Sequence, residues 1–349
     1  MLALEKIKKR IGTFEIKGIS FNVDDGEILS LIGPSGAGKS TIIKIITGIV
    51  KADGKILLNG KDITKLSPEK RNIGYIPQST GLFPHLSVKE NIEFPLKRRK
   101  FRKNKIEEMI ETFSDEFGIK NLLLRKPETL SGGERQKVAL VRALVYKPEL
   151  LLMDEPLSSI DAQKKEDYIK LIKKIRGKYG ISIIYVTHNF DEAITLSEKL
   201  VVIKNGEKIR EGTPKELINN PDDLWIASFV KEKNIFKGKF KGNLFCVDGS
   251  EICFHTPFFK DGQGFLSLRA DEIIISKEPL DSSALNVYEG EIIELINMNY
   301  NSQIGVNSGN ILFKVIITNR SLERLNLKKG DKIFIHFKAN SLKELSGDF

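Results

Sequence analysis

The sequence predicts an α/β domain built on a parallel β-sheet, followed by a small all-β domain. Its 349 residues are more than one ordinary domain needs. Up to about residue 230, short and continuously apolar strands alternate with helical patterns, which indicates a parallel sheet covered on both faces. From residue 231 onward, short alternating segments are separated by Gly, Asn, Asp and Ser, as in small barrels. We therefore place the two domains at 1–230 and 231–349.

The first domain contains three apolar strands and two helices that the pattern defines well. The strands are Ile28–Ile32, Leu150–Asp154 and Ile181–Thr187, and the helices are Ser40–Gly48 and Gln163–Lys178. The alternation breaks at Phe83–Gly118, which is mostly helical in pattern. We interpret about 83–145 as a helical insertion between two halves of the sheet domain.

The second domain is predicted from six short strand-like segments: Ile252–Phe254, Phe265–Leu268, Ile273–Ile275, Glu291–Ile296, Ile311–Ile317 and Lys332–Phe337. Both cysteines, Cys246 and Cys253, lie in a predicted hairpin that turns at Asp248-Gly249. This spacing allows a disulfide, but we expect two free thiols because disulfides are rare in cytosolic proteins.

Composition favours a water-soluble globular protein. Hydrophobic residues make up 40% and charged residues 29%, and no run approaches the ~20 apolar residues that span a bilayer. The first ten residues contain no apolar signal core, so we expect the chain to stay in the cytoplasm. The four histidines are scattered and predict no metal cluster.

The formal net charge is +10, and much of the excess lies in Lys97–Lys105, KRRKFRKNK. Such a run is most often the solvated start of a helix. The functional alternative is attraction to anionic lipid headgroups or nucleotide. No base-reading module accompanies the run, so no nucleic-acid partner is predicted.

A phosphate-binding loop is indicated at Gly33–Thr41, GPSGAGKST, between a strand and a helix. Glycines there let backbone N–H groups and a helix N-terminus cradle phosphate oxygens. Lys39 is expected to reach the β- and γ-phosphates and Ser40 to ligate Mg²⁺, so ATP and Mg²⁺ are the predicted cofactors. The predicted nucleotide contacts are Gly33, Pro34, Ser35, Gly36, Ala37, Gly38, Lys39, Ser40 and Thr41.

Four polar residues follow apolar strands elsewhere in this domain. Asp154 ends the strand LLLMD and can hold Mg²⁺, while Glu155 beside it can deprotonate the attacking water. Gln78 and His188 each come after a strand and could reach the γ-phosphate. The predicted catalytic residues are thus Glu155, His188 and Gln78, and the predicted metal ligands are Ser40, Gln78 and Asp154.

A second anion cradle is predicted at Leu130–Gln136, LSGGERQ, where Ser131, Gly132 and Gly133 open an amphipathic helix. One chain does not need two phosphate cradles for one nucleotide. The second cradle makes sense if it faces the phosphate-binding loop of another copy, which predicts a homodimer.

Residues 1–230 resemble the nucleotide-binding domain of ABC transporters, a P-loop NTPase fold. Gly33–Thr41 matches the Walker A motif, Leu150–Asp154 Walker B, and Leu130–Gln136 the signature. Gln78 matches the Q-loop, Ser158–Asp161 the D-loop and His188 the switch. The resemblance implies a head-to-tail dimer with two interfacial ATPs, contacted also by Asp161. It further implies an aromatic ring on adenine; Ile11 stands at that position, and Phe14 is the nearest aromatic residue.

The C-terminal part resembles the OB-like regulatory domain of importer ATPases for sugar, polyamine, sulfate and molybdate, and it is most similar to the TOBE/Mop-like domain of the molybdate/tungstate branch. The matching segments are Ser283–Asn286, Ile317–Ser321 and Lys338–Ser341, with Leu285 in place of an arginine. The regulatory oxyanion ligands that this implies are Ser283, Asn286, Thr318, Ser321, Lys338 and Ser341.

The resemblance implies an ATPase that energises a molybdate/tungstate importer from the cytoplasmic face of the membrane. Its partners would be two permease subunits and, indirectly, a solute-binding protein, with molybdate or tungstate as a regulatory ligand. An importer ATPase for sulfate, polyamine or sugar is the alternative. A non-transport ABC ATPase of DNA repair or translation would usually show a coiled-coil insertion or two fused ATPase domains, and this sequence has neither.

Overall fold

The computed structural model describes residues 2–158, 160–219, 233–297 and 301–345. The chain forms two compact units, Met1–Pro214 and Lys215–Phe349. The boundary predicted at 230/231 lies among residues 220–232, outside the described residues. Among the described residues, no helix combines the length and the apolar character needed to cross a membrane.

The first unit contains ten strands and six α-helices among its described residues, and a seventh α-helix begins at its last residue, Pro214. The strands are β1 Leu2–Ile11, β2 Phe14–Val23, β3 Ile28–Ile32, β4 Asp53–Leu58, β5 Lys61–Asp62, β6 Ile73–Ile76, β7 Leu150–Asp154, β8 Ser182–Val186, β9 Lys199–Lys204 and β10 Glu207–Gly212. The helices are α1 Lys39–Ile46, α2 Val88–Arg98, α3 Lys103–Glu116, α4 Gly132–Leu144, α5 Ala162–Tyr179, α6 Phe190–Leu196 and α7 Pro214–Asn219.

The central sheet of this unit has the strand order β10-β9-β3-β8-β7-β6. All neighbouring pairs from β9 to β6 are parallel, and β10 joins the edge antiparallel to β9. Every residue of β3, β7 and β8 is buried. The predicted parallel sheet, covered on both faces, is therefore confirmed. A second, antiparallel sheet of order β2-β1-β4-β5 was not predicted.

The helices α2, α3 and α4 fall within the predicted insertion. Each begins where the sequence offers polar residues and buries one apolar face. In α2 and α3 these faces include Ile92, Leu96, Ile110 and Phe113, which share one hydrophobic core with Leu140 of α4. The helices of the insertion therefore pack in the same apolar cluster that covers one face of the central sheet.

Arg71 closes the end of α1, the helix that follows the phosphate-binding loop. Its side chain is 4% exposed. It donates hydrogen bonds of 2.9 and 2.8 Å to the carbonyl oxygens of Ile45 and Ile46, and further bonds to the carbonyls of Leu66 and Thr64. A cation near carbonyls that the helix leaves without an internal partner is stabilising. Arg71 therefore fixes α1 against the following loop.

Arg71→Met should destabilise the first unit by about 3 kcal/mol, because it leaves several buried carbonyls without a donor. Thermal unfolding followed by circular dichroism would measure the loss. The control is Lys70→Met, a change at the neighbouring exposed residue, which should shift stability by less than about 0.5 kcal/mol. Equal melting temperatures for the two variants would contradict this role of Arg71.

The second unit is built from antiparallel strands: β11 Lys233–Val247, β12 Cys253–Arg269, β13 Ile274–Ser276, β14 Asn286–Asn297, β15 Asn301–Ser308, β16 Ile311–Thr318, β17 Lys332–Phe337 and β18 Lys343–Leu345. They form two sheets, of order β11-β12-β18 and β13-β17-β14-β15-β16. The core between them is aromatic and includes Phe240, Phe245, Phe254, Phe313 and Phe337. The predicted all-β domain is confirmed; one short helix, α8 Asn319–Leu325, was not predicted.

The expectation of two free thiols is wrong, because Cys246 and Cys253 form a disulfide. The predicted hairpin is present, and its register pairs Cys246 directly with Cys253. Their Cα atoms are 3.9 Å apart. Directly opposed residues of an antiparallel pair place their side chains on the same face, so the register brings the two sulfur atoms together.

Candidate functional site

The phosphate-binding loop joins the carboxyl end of β3 to the start of α1. Within it, Lys39 is 5% exposed. Its ammonium donates bonds of 2.8 Å to the carbonyl oxygens of Gly33 and Pro34. Burial lowers the pKa of Lys39 below its ordinary value, although the nearby charges of Glu155 and Asp154 oppose this shift. The loop therefore holds a preoriented cation within its own backbone turn.

Ser40 and Asp154 form the second element of the site. The Ser40 hydroxyl donates a 3.0 Å hydrogen bond to Oδ1 of Asp154, the last residue of β7. Asp154 is 4% exposed, and burial raises the pKa of its carboxyl group, while the bond from Ser40 opposes this rise. An adjacent hydroxyl and carboxylate oxygen are the ligand types that Mg²⁺ prefers. These two residues therefore fit a magnesium ion.

The Glu155 carboxylate lies against both of the other predicted catalytic residues. Its Oε2 accepts from Nε2 of Gln78 at 3.2 Å, and its Oε1 lies 3.1 Å from Nδ1 of His188. The backbone of Glu155 has φ = +47°, a left-handed conformation, and its N–H donates to the carbonyl of Val186 at 2.9 Å. Such backbone conformations cost energy and concentrate at functional sites. The structure thus brings Glu155, Gln78 and His188 together.

Strand order explains this convergence. Gln78 follows β6, Glu155 follows β7, His188 follows β8, and the phosphate-binding loop follows β3. These four strands are neighbours in the order β3-β8-β7-β6 and are parallel. Their carboxyl ends therefore meet at one edge of the sheet, where ligands of open α/β sheets bind.

A cavity of about 380 Å³ lies at this edge. Its lining combines the phosphate-binding loop from Ser35 to Thr41 with Phe14, Gln78, Glu155 and His188. Phe14 opens β2 and packs on the loop: a Cβ added to Gly38 would lie 2.9 Å from Cζ of Phe14. Gly38 also has φ = +105°, so both space and conformation require glycine here. The predicted aromatic residue thus lines the cavity.

The second cradle lies in a different groove. Ser131 caps α4, and its hydroxyl accepts from the N–H of Glu134, whose carboxylate accepts from the N–H of Ser131. Ser131 and Gly133 line a groove of about 960 Å³ together with Ile160. Asp161 is the residue that precedes α5. In the described residues, the predicted contacts Ser131, Gly132, Gly133 and Asp161 do not line the cavity around Lys39. Ser159 of the predicted D-loop lies outside the described residues.

Glu192 is a residue of this region that the sequence analysis missed. It is 7% exposed, and its Oε2 accepts from the hydroxyls of Tyr185 at 3.0 Å and Thr187 at 2.9 Å. Its Oε1 pairs with the ammonium of Lys165 on α5 at 3.0 Å. Glu192 therefore ties the end of β8 to α5.

This network holds the loop on both sides of His188. Thr187 Oγ1 donates to Glu192 and accepts from the N–H of Asn189 at 2.9 Å. In sequence, Glu192 looks like an ordinary acidic residue in the first turn of α6. The sequence offered one signal, the position of Glu192 four residues after His188. It lies in the first turn of the helix that follows, and such a turn faces back toward the preceding loop.

The predicted oxyanion ligands do not meet within one chain. Asn286 begins β14 and pairs with Phe337, so Ser283, Lys338 and Ser341 lie at the same end of the five-stranded sheet. Thr318 ends β16 opposite Asn301 of β15, next to the far end of β14. The twelve residues of β14 separate these ends by on the order of 30 Å. The set is therefore split into two groups.

Several of these side chains already have partners. Asn286 is fully buried, and its amide accepts from the N–H of His255 at 2.8 Å and donates to its carbonyl at 3.0 Å. Thr318 caps α8, accepting from the N–H of Ser321 at 3.1 Å. Lys338 and Ser283 are exposed. The structure thus gives Asn286 a bridging position between β12 and β14, while Lys338 and Ser283 remain accessible to a ligand.

Comparison with known proteins shows which families match this chain. A family model described as ABC transporter matches residues 16–158, and one described as TOBE domain matches residues 282–343. The molybdate/tungstate import ATP-binding protein of Pyrococcus abyssi is 40% identical over 344 residues, 98% of this chain and 99% of that protein. The Fe(3+) ions import ATP-binding protein of Fusobacterium nucleatum is 34% identical over 352 residues, 99% of this chain and 94% of that protein.

A solved structure supports the same assignment for the first unit. It is the dimeric structure of an ATP-binding cassette in a post-hydrolysis state, bound to ADP and Pi. It is 30% identical in sequence, with a TM-score of 0.56, and the match covers 61% of this chain and 99% of that chain. The near full-length similarity and the P-loop fold show that this chain belongs to the family of ATP-binding subunits of ABC transporters, with a C-terminal OB-like TOBE domain.

Proposed function

We propose that this protein hydrolyses Mg-ATP as the energy-supplying subunit of an ABC importer. The observation that carries the proposal is the position of Glu155, whose carboxylate lies beside Gln78 and His188 at the same sheet edge as Lys39 and the Ser40–Asp154 pair. A base, a cation and a metal-ligand pair at one cavity are the parts that phosphoryl transfer to water needs.

In the proposed reaction, Lys39 turns from its loop carbonyls to the β- and γ-phosphates of ATP. Ser40 and Asp154 would hold Mg²⁺, which would supply charge neutralisation at the phosphates. Gln78 and His188 orient the attacking water beside Glu155. The water oxygen bonds to the γ-phosphorus, its proton passes to the Glu155 carboxylate, and the bond from the γ-phosphorus to the bridging oxygen breaks to release ADP.

The active form is proposed to be a homodimer. Ser131 and Gly133 line a groove separate from the cavity around Lys39, and Gly132 lies between them in sequence, so the three would contact the γ-phosphate only from a second copy. The capping box uses the N–H groups of Ser131 and Glu134, and the N–H groups of Gly132 and Gly133 between them have no acceptor within the helix, which suits phosphate binding at a helix N-terminus. Asp161 and the end of the loop before α5 would contact the same interface.

Glu155→Gln should abolish turnover while keeping nucleotide affinity. Removal of the base is expected to lower the ATPase rate at least about 100-fold. Nucleotide affinity should remain, because the phosphate-binding loop and the metal ligands stay intact. An ATP-bound dimer should then accumulate, and gel filtration with and without ATP would show it. Glu166→Gln, at an exposed glutamate of α5, is the matched control. Turnover by Glu155→Gln at the control rate would exclude Glu155 as the base.

We propose further that Glu192 positions the loop of His188. Its carboxylate fixes Thr187 and, through Thr187, the N–H of Asn189, while Lys165 links the same carboxylate to the helix that follows Asp161. A displacement of the loop by about 1 Å can lower a rate by up to about 100-fold. Glu192 thus acts through His188 and has no contact with the cavity of its own.

Glu192→Gln should lower kcat by roughly tenfold or more, with little change in the KM for ATP, because the phosphate cradle is untouched. Steady-state kinetics separates the two constants, and a melting curve monitors folding. Glu192→Asp should recover part of kcat, since it restores the charge. If both variants alter only the melting temperature, the residue is structural and not positioning.

The proposed solute is molybdate or tungstate. This rests on the printed names of relatives that match nearly the whole chain, in Pyrococcus abyssi and in Pyrococcus horikoshii, the latter 38% identical over 98% of this chain. An importer of another solute is the second candidate, supported by the Fe(3+) relative at 34% identity. In either case two permease subunits would anchor the protein at the cytoplasmic face of the membrane, and a solute-binding protein would act indirectly.

We propose that an oxyanion regulates this ATPase from the second unit. Since Lys338 and Ser283 lie at one end of β14 and Thr318 and Ser321 at the other, an ion that uses both groups must take them from two copies arranged head to tail. Such an ion would oppose closure of the ATPase dimer if it bound the open dimer more tightly than the closed one. Asn286, whose amide bridges β12 and β14, would shape the site without contacting the ion.

Tungstate should bind the full-length chain more tightly than sulfate. Both ions are tetrahedral dianions, so charge and shape do not distinguish them, and the discrimination should come from the size of the pocket. Calorimetric titration measures the affinity of the chain for each ion. Lys338→Ala should weaken tungstate binding by about tenfold or more, whereas Lys332→Ala, at the other end of β17, should not. Leu285→Arg should strengthen it by adding a charge-assisted contact. If neither ion binds below millimolar concentration and the ATPase rate ignores both, the regulatory proposal fails.

A further inference from the structure

The basic run 97–105, here called the basic tip, joins the end of α2 to the start of α3. It contains seven lysines and arginines and no acidic residue. The net charge of the whole chain is +10. The basic tip is therefore the site where the positive charge of the protein is concentrated, and the proposed ATPase chemistry makes no use of it.

Part of this charge is neutralised inside the helical insertion. Lys97 pairs with Glu93 one turn earlier, and Lys105 pairs with Glu108 at 2.7 Å. The guanidinium of Arg99 lies 4.0 Å from the ring centre of Tyr146. These contacts anchor both ends of the basic tip to α2, α3 and the segment after α4.

The middle of the basic tip is exposed and has no such anchor. Lys100, Arg102 and Lys103 all have exposed side chains. Within the described parts of the chain, no carboxylate lies at ion-pair distance from any of the three. Their attraction for anions is therefore available to an external partner.

The backbone presents these cations in a fixed turn. Lys100 has φ = +60°, and the N–H groups of Lys100 and Phe101 donate to the carbonyls of Lys97 and Leu96 at 3.0 and 3.2 Å. This is a left-handed helix end that satisfies the last carbonyls of α2. It brings Phe101, 36% exposed, to the surface between the cations. The tip is thus a structured end of two helices, with an aromatic ring among free positive charges.

A surface depression of about 560 Å³ adjoins this turn. Phe101, Arg102, Asn104, Lys105 and Glu108 line it, and Glu108 is already paired with Lys105. Arginine, asparagine and lysine side chains offer hydrogen-bond donors to phosphate oxygens. The depression therefore provides room for a phosphate group beside the exposed ring.

We propose that the basic tip binds the phosphate headgroups of an anionic bilayer surface. Clustered cations near a membrane gain attraction from anionic lipid, and an aromatic ring between them fits the interface between headgroups and acyl chains. The cations occupy a single turn at a helix end, with no helix or strand laid out for a nucleic-acid groove. The inference depends on the membrane location in the proposed function, but it assigns to this chain a lipid contact of its own, separate from any permease.

The test uses the full-length chain without permease and phosphatidylcholine vesicles prepared with or without phosphatidylglycerol. Co-sedimentation at low salt should show binding only to the anionic vesicles, and binding should weaken as salt rises. The tip variant Lys100→Glu, Arg102→Glu, Lys103→Glu should bind at least about 100-fold more weakly, since each basic residue near such a surface is worth about fivefold in affinity. Phe101→Ala should weaken binding several-fold.

The matched control is Lys328→Glu, Lys329→Glu, Lys332→Glu, which changes the net charge equally at three exposed lysines of the second unit. The control should bind as the unaltered chain does. Equal losses in both triple variants would overturn the proposal, because the attraction would then follow net charge alone. Absence of binding to anionic vesicles would overturn it as well.

Two further arms identify the source of the phosphate. Soluble glycerol phosphate should fail to displace the chain from vesicles, whereas displacement at equal phosphate concentration would indicate a site for free phosphate and overturn the lipid assignment. Binding of single-stranded RNA that is tighter than vesicle binding and lost in the tip variant would also overturn it. The ATPase rate of the tip variant should equal that of the unaltered chain, so loss of lipid binding and failure of the proposed ATPase function remain distinguishable.

Discussion

Burial of the central strands on both faces is the constraint on which the rest of the first unit depends. All residues of β3, β7 and β8 are buried, so these strands leave no position within their length for a solvated charge. Groups that carry chemistry are confined to the ends of the strands. Because the strands are parallel, those ends share one edge, and the order β3-β8-β7-β6 brings together loops that are more than a hundred residues apart in sequence.

Glu155 shows how this edge controls geometry. Its N–H continues the sheet by donating to Val186, and its left-handed backbone then turns the side chain toward Gln78 and His188. Three strands therefore support three side chains that touch. The buried carboxylate of Glu192 extends the same support behind His188, and its charge is balanced by Lys165 on a different helix. A buried carboxylate is tolerated only with such partners, which makes the network a strong restraint on the loop.

Both units contain predicted binding groups that lie apart within a single copy. In the first, the cradle at Ser131 and the loop at Lys39 line different cavities. In the second, the length of β14 separates Lys338 from Thr318. The ligand proposed for each unit would therefore be shared between two copies, with opposite ends of the partners facing each other. In such an arrangement, ligand binding and association of the copies are thermodynamically coupled.

The sequence by itself determined the parallel α/β sheet, the all-β second domain, the phosphate-binding loop and the polar residues at strand ends, because these depend on local periodicity and on short motifs. It did not determine the antiparallel sheet β2-β1-β4-β5, the disulfide or the part played by Glu192. The disulfide followed from hairpin register, which pairs Cys246 with Cys253 against the expectation of two free thiols. Glu192 and the split of the oxyanion residues were decided by strand order and strand length, because contacts between distant segments depend on how the sheets assemble and have no local pattern in the sequence.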